Sequence, residues 1–146
     1  MGILVLSHCE NPAKKEMLEF LTKVLKKKTI AIIPYSIFLG AYHILTRYLR
    51  TDQAQTAEKL ITTAMIANDI FHPTIDSENI QYALENASKL HVESWDGYLL
   101  SIANYYQTNV IFSIDQRLGK FCIIMNPVSE ITMEKYYEWL NLQLKK

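Results

Sequence analysis

Two aspartates of this chain are placed where their carboxylates can act together. Asp96 opens an apolar helical segment, and Asp115 directly follows the apolar run 110–114. Two carboxylates held close together repel, and one takes up a proton unless a cation separates them. Mg²⁺ and Mn²⁺ prefer such oxygen ligands and usually bind a substrate phosphate as well. The pair predicts a metal site, although each residue alone also fits a structural role, Asp96 as a helix cap and Asp115 as a turn residue.

Other chemistries find no matching pattern in the sequence. Cys9 and Cys122 lie far apart, and the four histidines do not have the spacing of a zinc finger. Neither a glycine-rich phosphate loop nor a Gly-x-Ser-x-Gly nucleophile turn is present. Cys122 lies inside an apolar run and is interpreted as a buried structural thiol. Glu93, three residues before Asp96, is either a further oxygen ligand or an exposed acid at the start of the helix.

The elements that position the two aspartates are helices alternating with short strands. Helical spacing of apolar residues predicts helices over 12–27 and 35–50, and further helices beginning near 51, 77, 96 and 129. Strands that are apolar throughout are predicted at 29–33, 110–114 and 121–125. This alternation predicts an α/β fold, a parallel sheet with helices on both faces. A helix that returns across such a sheet brings Asp96 near the carboxyl end of the strand that Asp115 follows.

Length and composition limit the class of protein. The chain has 146 residues, 49% of them hydrophobic and 21% charged, which predicts a single domain over 1–146. Fifteen Lys and Arg balance fifteen Asp and Glu, which argues against a strongly basic coat for nucleic acid but leaves local basic patches open. No apolar run reaches the length of a membrane span, and the first residues lack a basic leader. We therefore expect a cytoplasmic protein with no membrane partner.

Two surface features leave alternatives open. The run Lys26-Lys27-Lys28 closes the helix over 12–27. It is either a solvated helix end, where cations favour the helix dipole, or a phosphate-binding patch. Aromatic residues make up 11% of the chain, nine of them tyrosines, which is more than a small core must hold. We expect a homodimer formed through the aromatic helices.

Residues 94–103 and 110–115 together resemble the C-terminal half of a PIN domain, as in VapC-type toxins. That half is typically Asp-Ala opening an apolar helix, followed by a hydrophobic strand ending in Ser/Thr-x-Asp. The segments 11–25, 34–45 and 76–90 resemble its other helices, so the resemblance spans most of the chain. It implies a PIN-like α/β/α sandwich and a metal-dependent endoribonuclease, with Asp96 and Asp115 as the catalytic residues that hold Mg²⁺ or Mn²⁺. It also implies RNA and an antitoxin-type protein as partners.

The chain departs from the PIN pattern at two of the family's acidic positions. Gly40 stands where the family has a glutamate in its second helix. The segment 2–9 resembles the stretch directly after the family's first aspartate, which would then precede Met1. Alternatively, residues 2–6 are the first strand and Ser7 occupies the position of that aspartate. The two departures predict a weakened ribonuclease site or, alternatively, a catalytically inactive PIN-like module that binds RNA or protein.

His43 lies one turn after Gly40 and has two interpretations. It either faces the same cleft as the acids or packs against Tyr42 and Tyr48.

Overall fold

Helices dominate this fold. The structure is a computed structural model and describes residues 1–144, which contain seven α-helices and two short strands. The helices are α1 (Gly2–His8), α2 (Lys14–Leu25), α3 (Ser36–His43), α4 (Gln53–Ile66), α5 (Ser77–Leu90), α6 (Ser94–Tyr105) and α7 (Glu130–Leu144), and the strands are β1 (Val110–Phe112) and β2 (Ile123–Met125). Within residues 1–144, no helix is long and apolar enough to cross a bilayer.

The predicted α/β/α sandwich of PIN type is wrong. The one sheet that forms within residues 1–144 has two strands, β1 and β2, which run parallel with Val110 opposite Ile123. The predicted strand over 29–33 is reduced to an isolated bridge between Ile32 and Phe71. Its side chains are not those of a buried strand, because Ile30 is 96% exposed. A two-stranded sheet cannot support helical layers on both of its faces.

The N-terminal apolar run also forms a helix instead of a strand. Residues 2–8 make up α1, in which Leu4, Val5 and Leu6 are buried. A short run that is apolar throughout fits a buried helix as well as a buried strand, and periodicity does not separate the two. α1 packs against α2, α3 and α4, so burial on several sides decides in favour of the helix.

The chain divides into two compact units, one formed by residues 1–72 with the segment from 127 onward and the other by residues 73–126. The prediction of a single domain over 1–146 stays a prediction. In the first unit, the side chains of Leu6, Met17 and Leu45 are fully buried. Helix α2 buries its apolar stripe there and turns its lysines to solvent.

Within the first unit, hydrogen bonds connect the start of α7 to Glu16 of α2. The Glu16 carboxylate accepts a hydrogen bond of 2.6 Å from the Ser129 backbone N–H, just before α7 begins. It also accepts hydrogen bonds from the hydroxyls of Ser129, at 3.0 Å, and Thr132, at 2.5 Å. A carboxylate at this position satisfies backbone donors of the first turn and interacts favourably with the helix dipole.

In the second unit, α5 and α6 pack closely because of Gly97. A Cβ at this position would lie 2.8 Å from the Ala87 backbone nitrogen and would also contact the Ala83 carbonyl oxygen. The Asn86 amide donates a hydrogen bond to Ser101 Oγ across the same contact, at 2.9 Å. Gly97 therefore sets the distance between α5 and the helix that begins the candidate site.

Candidate acidic site around Arg117

The candidate site is built from the start of α6 and the turn after β1. Asp96 lies in the first turn of α6, directly before Gly97, and is half-buried. Leu100 and Ala103 of the same helix pack with Ile111 of β1 and with Leu118. Through this small core α6 packs against β1 and against the turn that carries Leu118. Both predicted aspartates thus belong to the unit formed by residues 73–126.

Asp115 begins a short 3₁₀ turn over Gln116–Lys120. Its carboxylate accepts a hydrogen bond of 2.9 Å from the Arg117 backbone N–H, and its own N–H donates to Ser113 Oγ at 3.0 Å. Aspartate is favoured at such positions because its short side chain reaches the backbone donors of the following turn. The turn role that was predicted as an alternative for Asp115 is confirmed.

The Arg117 side chain engages Asp115 through both carboxylate oxygens. Nε donates to Oδ2 at 2.8 Å and to Oδ1 at 3.0 Å, and Nη2 donates to Oδ2 at 2.6 Å. These hydrogen bonds from the guanidinium hold the pKa of Asp115 below its ordinary value. They also raise the pKa of Arg117. The guanidinium therefore occupies the electrostatic position that a metal cation would take at this carboxylate.

Glu93 is the third acid of the cluster. Its Oε1 lies 3.6 Å from Arg117 Nη1, and both side chains are about two thirds exposed, at 68% and 67%. An ion pair with that exposure contributes little to stability because water screens it. Glu93 precedes α6 in an extended conformation and makes no side-chain cap to the helix. Its carboxylate thus remains accessible to solvent beside the other two.

Asp96 is the fourth charged residue of the cluster, and the charges of the other three affect its pKa. Burial raises the pKa of Asp96, and the negative charges of Asp115 and Glu93 raise it further, while the positive charge of Arg117 opposes them. Asp96 therefore lies within electrostatic reach of Asp115, Glu93 and Arg117. The roles of Asp96 and Asp115 as catalytic residues and metal ligands stay predictions.

Oxygen donors of this kind fit a divalent cation of the Mg²⁺ class. Mg²⁺ is commonly held by one or two carboxylates together with water and a substrate phosphate. Asp96 and Asp115 supply two such carboxylates, and burial, more than the charges of Asp115 and Glu93, raises the pKa of Asp96. Within residues 1–144, no group of three His, Cys, Asp or Glu side chains is arranged to hold a metal. A metal at Asp115 would therefore displace Arg117 and would take its remaining ligands from water or a substrate phosphate.

Gly40 and His43 belong to the other unit. A Cβ at Gly40 would lie 2.8 Å from Sδ of Met1, so the glycine accommodates a methionine at the position where the PIN resemblance has a glutamate. His43 contacts Tyr48 edge-on, with ring centroids 5.6 Å apart. The predicted packing of His43 against Tyr48 is confirmed.

Arg117 is a member of the cluster that the sequence pattern does not predict. The signal was the Asp-x-Arg spacing at 115–117, directly after a predicted strand. An aspartate that caps a tight turn brings the side chain two residues later back over its own carboxylate, as seen here. Arginine at that position forms the bidentate pair that a lysine would not form.

Comparisons of the chain with models of protein families, with curated proteins and with solved structures find no match. The resemblance to PIN domains stays a prediction.

Proposed function

We propose that this protein is a metal-dependent endoribonuclease with a weakened site, in which Asp96 and Asp115 hold Mg²⁺ or Mn²⁺. The activity is the one that the PIN resemblance implies; the sheet sandwich of that family is not part of the proposal. One observation carries it: Asp115, in the turn after β1, pairs with Arg117, and its negative charge also raises the pKa of Asp96 in α6, so carboxylates from two separate elements interact. Neighbouring carboxylates are ligands that Mg²⁺ and Mn²⁺ prefer, and such an ion assists attack on a phosphodiester.

Each side chain of the cluster has a role in this reaction. Mg²⁺ or Mn²⁺, when bound, lowers the pKa of a coordinated water molecule and offsets negative charge on the phosphate. Glu93, which is solvent-exposed, accepts the proton that water loses as its oxygen attacks phosphorus. The bond from phosphorus to the ribose oxygen breaks, and that leaving oxygen takes up a proton from solvent water. Arg117, released from Asp115, binds a non-bridging phosphate oxygen through its planar guanidinium. The same residue therefore covers Asp115 before substrate arrives and binds the substrate afterwards.

Incubation of labelled RNA with the protein and Mn²⁺ or Mg²⁺ tests this proposal. We expect cleavage by the wild type and by Glu58→Gln, a control that neutralises an exposed acid of α4 far along the chain from the cluster. Asp96→Asn and Asp115→Asn are expected to abolish cleavage, and EDTA to abolish it in every variant. Cleavage by Asp96→Asn at the wild-type rate, or no cleavage by the wild type with either metal, contradicts the proposal.

A second candidate is a non-catalytic module that binds RNA or protein. The observation that favours it is the full engagement of Asp115 by Arg117, which leaves neither carboxylate oxygen free of a hydrogen bond. Titration calorimetry with Mn²⁺ separates the two candidates. Binding that is lost in Asp115→Asn supports the enzyme, whereas no Mn²⁺ binding together with retained RNA affinity supports the module.

The partners and location form part of the same proposal. We place the protein in the cytoplasm, where its substrate RNA is found, and propose that it forms a homodimer and binds an antitoxin-type protein. Exposed apolar residues one turn apart support protein contacts, namely Ile61 and Met65 on α4 and Ile80 and Leu84 on α5. Such exposed apolar faces are typical of interaction surfaces. Light scattering tests the dimer, and a monomer at high concentration contradicts it.

A further inference from the structure

The solvent face of α2 carries an open groove of about 490 Å³, which we call the lysine groove. Four of its lining residues are lysines, Lys15, Lys23, Lys26 and Lys28, and they stand beside Glu19 and Thr22. Four positive charges thus face one negative charge, although the chain as a whole has a formal net charge of zero. Four of the fifteen Lys and Arg residues of the chain thus line one groove.

The helix dipole explains the position of only some lysines in the lysine groove. Cations at the C-terminal end of a helix are stabilised by the dipole, which accounts for Lys23. Lys15 lies in the first turn of α2, where the dipole disfavours a cation, and Lys28 lies beyond the end of the helix. A solvated helix end therefore does not account for a lysine groove that extends along the whole helix.

Acids offset only part of the positive charge of the groove, namely Glu19 in its lining and Glu16, whose pKa the charge of Lys15 lowers. Among the residues that the structure describes, no ion pair involves Lys15, Lys23, Lys26 or Lys28. Lys14, by contrast, pairs with Glu10 one turn away. Four unpaired cations in one groove repel each other, and a bound polyanion relieves that repulsion.

We propose that the lysine groove binds the phosphate backbone of single-stranded RNA. From Lys15 to Lys26 the helix extends about 16 Å, which suits several successive phosphates and is longer than a single anion needs. Flexible lysines contact phosphates without reading base edges, so binding is expected to be independent of sequence. This docking site rests on the proposed function for its choice of RNA as the polyanion, and it names the surface that holds the substrate strand.

An anionic membrane fits the groove less well than RNA does. A helix that lies on a bilayer inserts its apolar face between the lipids. The apolar stripe of α2 is buried in the protein, with Met17, Leu21 and Val24 at most 6% exposed. Leu18 is the one large apolar side chain of the groove lining, and it is only 40% exposed. The groove thus offers charge without an insertable face.

Fluorescence anisotropy with a labelled short oligouridine tests the docking site in EDTA, where no metal-dependent cleavage occurs. Four phosphate contacts predict a slope of about −2.8 for log K against log salt, because each contact on a single strand adds about −0.7. The triple variant Lys23→Gln/Lys26→Gln/Lys28→Gln is expected to reduce the slope to about −0.7 and the affinity about 100-fold near 0.1 M salt. The matched control Lys59→Gln/Lys89→Gln/Lys135→Gln loses the same charge outside the groove and is expected to bind as the wild type does.

The triple Lys→Arg variant at positions 23, 26 and 28 keeps the charge and is expected to retain binding. Equal losses in the groove variant and in the control variant overturn the docking site, because binding then follows net charge alone. Binding to phosphatidylserine vesicles without binding to oligouridine also overturns it, in favour of a membrane. If the protein binds oligouridine but does not cleave RNA, the docking site stands and the proposed function is wrong. If the triple Lys→Gln variant still cleaves RNA and binds oligouridine as tightly as the wild type, the proposed function stands and the docking site is wrong.

Discussion

Arg117 donates hydrogen bonds to both carboxylate oxygens of Asp115, at 2.6 Å and 2.8 Å to Oδ2 and at 3.0 Å to Oδ1. The guanidinium also lies 3.6 Å from Glu93. Arg117 thus contacts two acids of the cluster, Asp115 and Glu93, and its charge also acts on Asp96. The Arg117 guanidinium and an added metal cation therefore compete for the Asp115 carboxylate.

Replacing Arg117 with Gln is expected to strengthen Mn²⁺ binding. The substitution removes the cation that competes for Asp115 and leaves its carboxylate to bind metal. Without metal, the variant is expected to be less stable by up to about 1 kcal/mol, since exposed ion pairs contribute no more than that. Calorimetry measures the affinity, and thermal unfolding with and without Mn²⁺ measures the stability. Unchanged Mn²⁺ affinity would show that Arg117 does not compete for the site.

The carboxyl pKa of Asp96 is expected to respond to its neighbours. Burial raises it, and the charges of Asp115 and Glu93 raise it further. Asp115→Asn removes one of those charges and is expected to move the pKa of Asp96 down towards its ordinary value. Arg117→Gln removes the opposing positive charge and is expected to move it up. NMR titration of the Asp96 carboxyl measures both shifts, and no response to Asp115→Asn would mean that the two residues are not coupled.

The raised pKa of Asp96 also sets the sign of its effect on folding. A carboxyl group whose pKa is higher in the folded state opposes folding when it is ionised, so its cost appears as the pH rises above the ordinary aspartate pKa. Asp96→Asn is therefore expected to raise the free energy of unfolding at neutral pH and to leave it nearly unchanged in strong acid. Urea denaturation at both pH values measures this difference. A loss of stability at neutral pH would contradict the assignment.

Gly97→Ala is expected to destabilise the protein, although alanine is the better helix former. The added Cβ would lie 2.8 Å from the Ala87 backbone nitrogen, and the main chain of α5 cannot move aside easily. Overpacking of this kind costs about 1–3 kcal/mol. The control is Gly119→Ala, whose Cβ would meet only Ile124 Cγ1 at 4.0 Å. Urea denaturation compares the two, and equal stabilities would show that α5 and α6 do not need the glycine.

Glu16 is expected to stabilise the protein above its own pKa and not below it. Hydrogen bonds from the hydroxyl of Thr132 and from Ser129 lower the pKa of this carboxyl. A lowered pKa contributes stability above about pH 4.3, the ordinary glutamate value, and the contribution is lost as the pH falls through the folded-state pKa. Glu16→Gln is expected to cost about 1 kcal/mol at neutral pH and little in strong acid. Urea denaturation measures both, and Glu58→Gln serves as the control for removal of one surface charge.

Helix positions were predictable because local signals agreed with packing. Asp52 and Asp76 precede α4 and α5, and each side chain accepts a backbone N–H of the first turn, as capping residues do. The amphipathic spacing of Met17, Leu21 and Val24 in α2 matches their burial. These features depend on neighbours in sequence and need no knowledge of the rest of the fold.

The strands were less predictable because their burial is set by distant partners. Residues 110–112 and 123–125 form strands, as the sequence predicts, because they pair with each other across a short connection. Residues 29–33 have an equally apolar sequence, but Ile30 is exposed and only Ile32 makes a bridge. Whether such a run becomes a strand depends on tertiary contacts that propensity does not contain.

The candidate site was predictable in its two aspartates and not in its arginine. The expectation that Asp96 and Asp115 lie near one another came from a helix that precedes a strand, and that local arrangement holds even though the large sheet is absent from residues 1–144. The bidentate contact of Arg117 depends on the backbone of one tight turn. Sequence spacing alone does not specify that geometry.

All four side chains of the acidic cluster come from the stretch between positions 93 and 117. Bringing the ends of so short a segment together costs little chain entropy, and the cost grows only slowly with length. Recombination of gene segments could therefore transfer all four side chains together, provided that the segment brings α5 and β2, which pack against α6 and β1.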